Sequence, residues 1–140
     1  FIITATNTPE AVITPEDLKS GAVVIDDAQP ADVSLEVFDR EDVLAIEGGL
    51  LYTPDIKNHF NFSLKDKYDN FSCMGEVIVL ATHEYNDNYI INKPTLENID
   101  KISSMAHDMG FRLSKFQNVK EVISQEKLDH IDNIIKNNVK

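Results

Sequence analysis

Three β-branched apolar runs recur within the first fifty residues, and each ends in small or acidic residues. They are Phe1-Ile2-Ile3-Thr4-Ala5-Thr6-Asn7-Thr8, Ala22-Val23-Val24-Ile25-Asp26-Asp27 and Val43-Leu44-Ala45-Ile46-Glu47-Gly48-Gly49. Runs that stay apolar, rather than alternating with polar residues, suit strands covered on both faces in a parallel sheet. Thr14-Pro15-Glu16-Asp17-Leu18 and Ser34-Leu35-Glu36-Val37-Phe38 separate them. Thr14 reads as an N-cap with Pro15 at the first helical position, and Glu16 and Asp17 favour that end of the helix dipole. Ser20-Gly21 stops the turn. Connectors this short hold one or two helical turns and no more.

The chain changes character after the third run. Pro54, Asn58, Asn61 and the Lys65-Asp66-Lys67 cluster make residues 50–68 read as a loop. Phe71 to Glu84 is apolar all round, the pattern of a helix buried between layers, with Asn70 or Asp69 as its expected cap. Thr95 to Met109 puts Leu96, Ile99, Ile102, Met105, Ala106 and Met109 on one stripe, with Gly110 as the stop. Ser124 to Asn137 does the same with Leu128, Ile131, Ile134 and Ile135. The expected fold class is α/β. Residues 1–68 form strands 4 to 6, the C-terminal half of a doubly wound (Rossmann-like) parallel sheet, and residues 69–140 form a helical segment. The strand order of such sheets leaves the Phe1 strand with an open edge. Its expected partner is the N-terminal half of the same enzyme, or a second copy.

Composition narrows the classes. A chain of 140 residues, 42% hydrophobic, is enough for one ordinary domain with a core. A formal net charge of −11 argues against nucleic acid and anionic membrane surfaces as partners. No run approaches the roughly 18 apolar residues that a membrane-spanning helix needs. One cysteine builds neither a disulfide nor a Cys-rich zinc site, so a reducing, cytoplasmic setting is expected.

In an open parallel sheet the ligand lies beyond the carboxyl ends of the strands. Here those ends offer Thr6, Asn7 and Thr8, then Asp26, then Gly48 and Gly49. Paired glycines allow a ligand close to the backbone, or make a plain tight turn. Asp26 serves a ligand or caps its own loop. The cofactor expected is NADP(H) or NAD(H), with the glycine-rich pyrophosphate-binding turn absent from this chain.

Gly21-Ala22-Val23-Val24-Ile25-Asp26-Asp27-Ala28-Gln29-Pro30, Val43 to Gly49, and Phe71-Ser72-Cys73-Met74-Gly75-Glu76 occur in one order. In order and spacing they resemble the C-terminal part of the aldehyde-forming fatty acyl-[acyl carrier protein] reductases, from Phe1 to about Leu113. Those enzymes are relatives of the shikimate, quinate and amino-acid dehydrogenases. The resemblance implies that Cys73 attacks an acyl thioester and that NADPH reduces the bound acyl group to an aldehyde. A cysteine in the first turn of a helix suits that role, because the dipole and free N–H groups stabilise a thiolate. A buried packing cysteine is the competing reading. Glu76 lies on nearly the same face as Cys73, placed to polarise a water, hold a lysine or sit solvated. His83, two turns on, reads as structural. Gly75 departs from the alanine usual in the family.

Phe60, Phe62, Phe71, Phe111 and Phe116 read as core. No basic patch for an acidic carrier protein is visible, so the partner set is a small-molecule acyl substrate, no nucleic acid and no membrane span. Two rival classes stay open. One is shikimate- or amino-acid-dehydrogenase-like hydride transfer without a cysteine nucleophile. The other is a non-catalytic cofactor-binding or assembly domain.

Overall fold

The computed structural model describes residues 1–60, 62–90 and 93–138; Asn61 lies outside them. The chain divides into two compact units. The first is Phe1–Gly48 with Lys115–Lys140, and the second is Gly49–Ser114.

The first unit is α/β, a partial Rossmann-like sheet. Strands β1 (Ile2–Thr4), β2 (Val23–Asp26) and β3 (Leu44–Glu47) lie parallel in the order β1-β2-β3. Ile3 pairs with Ile25, and Ile25 with Ile46. The connectors are single 3₁₀ turns, Pro15–Asp17 and Leu35–Asp39. The first has a capping box: Thr14 donates its N–H and hydroxyl to Asp17 Oδ2, both at 2.9 Å. Arg40 ties the two turns together. Its guanidinium donates to the Pro15 and Leu18 carbonyls at 2.7 and 2.8 Å and forks onto Asp42 at 2.9 and 2.8 Å.

Both faces of β2 and β3 are covered, as their continuous apolar runs require. Val24, Val43 and Ala45 pack with Leu18, Val33 and Val37 from the crossovers. Leu44 and Ile46 pack on the other face with Ile123 and Ile131. Ile131 belongs to α3 (Gln125–Asn138), which Ser124 caps by accepting the Lys127 N–H at 3.2 Å. The C-terminal helix therefore returns to the parallel sheet, and the chain does not pack as 1–68 against 69–140. Ile3 shares the face of Ile25 and Ile46 but is 69% exposed, and Phe1 is 84% exposed. The β1 edge is unpaired among the described residues.

The second unit holds a sheet that the pattern did not reveal. Strands β4 (Leu50–Tyr52), β5 (Asp69–Phe71) and β6 (Arg112–Leu113) are antiparallel in the order β5-β4-β6. Two or three residues are too few to show a period. Helix α1 (Ser72–Thr82) leaves β5 directly, so Phe71 is its N-cap residue, with no side-chain cap bond. Neither expected cap serves. Asn70 donates its amide to Thr53 Oγ1 at 2.6 Å, and Asp69 accepts from the Ser114 hydroxyl at 2.6 Å. Helix α1 is also not buried all round: Gly75 and Val79 are buried and Val77 is exposed. Helix α2 (Leu96–Asp108) begins at a Thr95/Asn98 capping box and buries no residue fully. Among the described residues no helix is long and apolar enough to cross a membrane.

Candidate functional site

Two places carry chemistry, one in each unit. The first is the carboxyl end of the parallel sheet, and a residue not singled out from the sequence organises it. Asp32 is fully buried, and its carboxylate accepts the Thr4 hydroxyl, the Thr6 N–H at 2.9 Å and the Thr6 hydroxyl at 2.5 Å. The Thr4 hydroxyl first, then that of Thr6, holds the Asp32 carboxyl below the usual carboxylate range. The available signal was an acid just ahead of the apolar Val33, matched to a threonine-rich strand end.

This network uses several expected cofactor ligands for the fold. The Thr6 hydroxyl proton is spent on Asp32, its oxygen accepts the Thr8 N–H at 3.3 Å, and the single Thr8 hydroxyl proton has two acceptors at 3.0 Å, the Thr6 oxygen and the Glu10 carbonyl. Asp26 takes the loop-cap reading: its carboxylate accepts the Ala28 N–H at 3.1 Å and the Val33 N–H at 2.9 Å. A Cβ on Gly48 would stand 2.9 Å from Ile25 Cγ2, so glycine there answers to the protein's own packing. Gly49 has φ 62° and its carbonyl accepts both the N–H and the hydroxyl of Ser72 at 2.6 Å, the tight-turn reading. Asn7 stays exposed at the tip.

Beside these strand ends lies a cavity of about 110 Å³, lined by Asp26, Ala28, Gln29, Val33, Phe38 and Glu47 among others. Its walls are mainly apolar, and the Gln29 amide donates to Glu47 at 3.2 Å across the rim. A cavity of that order holds one small ring. The residues present therefore fit the nicotinamide end of a dinucleotide by size and by their place at the strand ends.

The second place is the start of α1. Cys73 is exposed in the first turn, which removes the competing reading of a buried packing thiol. Next to it, Ser72, Gly75, Glu76 and Val79 form one wall of a groove of about 280 Å³, with Leu51 on β4 and Ile102, Ser103 and Ala106 on α2. A Cβ on Gly75 would meet Leu51 Cδ1 at 2.7 Å. The missing side chain is what lets α1 and β4 close up here. His83 ends α1, its Nδ1–H donating to the Val79 carbonyl at 2.9 Å, the structural role expected of it. The aromatic residues are less uniform than expected. Phe111 is core, whereas Phe60, Phe62 and Phe71 form a partly exposed chain with ring centres 5.7 and 5.5 Å apart. No cluster of metal-ligating side chains occurs among the described residues.

No family model matches the chain. It is similar to the aminotransferase PigE of Serratia sp. (strain ATCC 39006), with 29% identity over 133 residues. That match covers 91% of this chain and 15% of PigE, so the chain spans about a seventh of its relative's length.

Proposed function

We propose that this chain is part of an NAD(P)H-dependent reductase that takes an acyl group from a thioester onto Cys73 and releases it as an aldehyde. The exposed thiol in the first turn of α1, beside an apolar groove, supports this reading most directly. The Cys73 sulfur attacks the thioester carbonyl. A carbon–sulfur bond to Cys73 forms, the substrate's own breaks, and the departing thiolate takes up the proton that Cys73 gives up. The positive end of α1 favours the developing oxyanion. Glu76, one turn on, is the candidate to hold the proton in transit.

A dinucleotide, when bound, would supply the hydride for this reduction, one NAD(P)H and one proton per aldehyde. Asn7 and the Gln29 rim would hold its nicotinamide-ribose end. The pyrophosphate falls to a segment outside this chain. A strand from the same longer polypeptide, or from a second copy, would pair with the β1 edge and cover Ile3.

Mass spectrometry of the full-length protein mixed with an acyl thioester, without dinucleotide, tests the reading. An adduct on Cys73 is expected, and Cys73→Ala should abolish it and lower turnover at least 100-fold while nicotinamide dinucleotide still binds. Unchanged turnover in that variant would remove Cys73 from the mechanism. The similarity to one stretch of an aminotransferase favours a second reading, an accessory domain of a larger enzyme whose chemistry lies elsewhere. That reading expects no adduct.

A further inference from the structure

The groove between α1, β4 and α2 has apolar walls, among them Leu51, Val79 and Ile102, and three polar members, Ser72, Glu76 and Ser103. The polar members share a bias. Ser72 spends its hydroxyl proton on the Gly49 carbonyl at 2.6 Å, so its oxygen is left only to accept. Glu76 stands four residues on, over the same face of α1, and an ionised carboxylate also only accepts. It is half-buried, and among the described residues its carboxylate has no ion pair and no hydrogen-bond donor. Ser103, on the facing helix, has a hydroxyl that turns to suit its partner. No cation lines the groove among the described residues.

Such a groove selects a ligand by its charge and its donors. A carboxylate or phosphate sets like charge against Glu76, and a neutral carbonyl brings no donor. A primary ammonium brings a positive charge and three N–H donors, which the Glu76 carboxylate and the Ser72 and Ser103 oxygens can take up. We propose that this groove binds a small aliphatic primary amine as its ammonium ion, with Glu76 as counter-ion and the tail against Leu51, Val79 and Ile102. At about 280 Å³ the groove is at the small end of ligand sites, which suits a tail of roughly four to six carbons. A free amino acid is rejected, because its carboxylate meets no cation there. Neither the ligand nor its test depends on the acyl-transfer reading of Cys73. Where that reading holds, an ammonium on Glu76 occupies the group that carries the proton, so the bound amine inhibits acyl transfer.

The test is pentylamine titrated at neutral pH into the full-length protein and followed by methyl NMR. The largest shifts are expected at Leu51, Val79 and Ile102. Pentan-1-ol, of the same length without the charge, should bind at least about tenfold more weakly, and pentanoate should not bind. Glu76→Gln should weaken pentylamine by about the same factor and leave pentan-1-ol unchanged, a split that lost packing alone does not produce. Nα-acetyl-lysine methylamide carries the same ammonium on a peptide backbone and should bind at least about tenfold more weakly than pentylamine. Equal affinity for pentylamine and pentan-1-ol would overturn the proposal, as would an unchanged pentylamine affinity in Glu76→Gln or shifts centred elsewhere. Equal affinity for the lysine derivative would overturn the free amine as the ligand. An intact amine site in a protein whose Cys73 takes no acyl group would fail the reductase reading alone.

Discussion

The two units differ in how their central apolar residues are covered. In the first, Val24, Val37, Val43 and Ile131 are at most 2% exposed, and β2 and β3 are covered on both faces, with β1 leaving Ile3 in water. In the second, Val79 and Phe111 are buried while Val77, Leu96 and Leu113 are 65%, 79% and 77% exposed. The difference follows from the elements. Uninterrupted β-branched strands need cover on both sides and obtain it from the crossovers and α3. Strands of two or three residues offer little area, so the helices beside them keep apolar surface in water. The candidate chemistry divides in the same way: hydroxyls pinned to a buried carboxylate in one unit, an exposed thiol beside an open apolar groove in the other.

One truncation made in both units tests that contrast most severely. Ile131→Ala removes a side chain that is 2% exposed, on the helix closing the second sheet face. The expected cost is about 3 kcal/mol in denaturant melts. Ile99 on α2 is 44% exposed, and Ile99→Ala should cost under about 1 kcal/mol. Equal costs would mean that α2 is covered in solution and that the units are not so different. Hydrogen exchange should agree, with β2 and β3 amides the slowest and α2 amides markedly faster.

Much of the first unit could be read from residue order because its signals are local and redundant. Thr14-Pro15 and Ser124 marked helical starts, and the three apolar runs marked β1, β2 and β3. The second unit was harder for a physical reason. Leu50–Tyr52 and Asp69–Phe71 become strands only through each other, and Arg112–Leu113 joins them from forty residues away, so no window of sequence contains the cause. The same holds at the candidate sites. Cys73 could be placed in a first helical turn because helix starts are local. That Thr6 and Asp26 serve the fold could not, since Asp32 and Val33, their partners, come from the next crossover. Gly75 could be marked as unusual, but its reason, the Leu51 side chain, is visible only once β4 exists.

The acid anchors of the first unit give the next largest effect. Arg40→Lys keeps the charge but not the planar fork, and with three donors it loses at least one of the four hydrogen bonds to Pro15, Leu18 and Asp42. A fall in Tm of roughly 5 °C is expected. A change under one degree would show that the two 3₁₀ turns are held by Leu18 and Val37 packing alone.

The smallest effect is a pH slope. Asp17, Asp32, Glu36 and Asp42 are all held below the usual carboxylate range, and all belong to the first unit. The leading causes are donors: the Thr14 N–H for Asp17, the Thr4 hydroxyl for Asp32, the backbone N–H of its own residue for Glu36 and the Arg40 guanidinium for Asp42. A carboxyl with a lowered folded value stabilises the protein fully above its unfolded value, near 4. That stabilisation is lost as pH falls through the folded value. Tm of the first unit should therefore be flat from about pH 7 to 5 and drop below about 4. Asp32→Asn isolates one contribution. The amide oxygen still accepts the Thr4 hydroxyl and the Thr6 N–H, but the NH₂ replaces the oxygen that accepted the Thr6 hydroxyl, and the group no longer titrates. This variant should melt a few degrees lower at pH 7 and lose less stability between pH 5 and 3 than the parent protein. A parallel downward shift at every pH would show that Asp32 anchors the β1 loop by shape alone, with its charge contributing nothing.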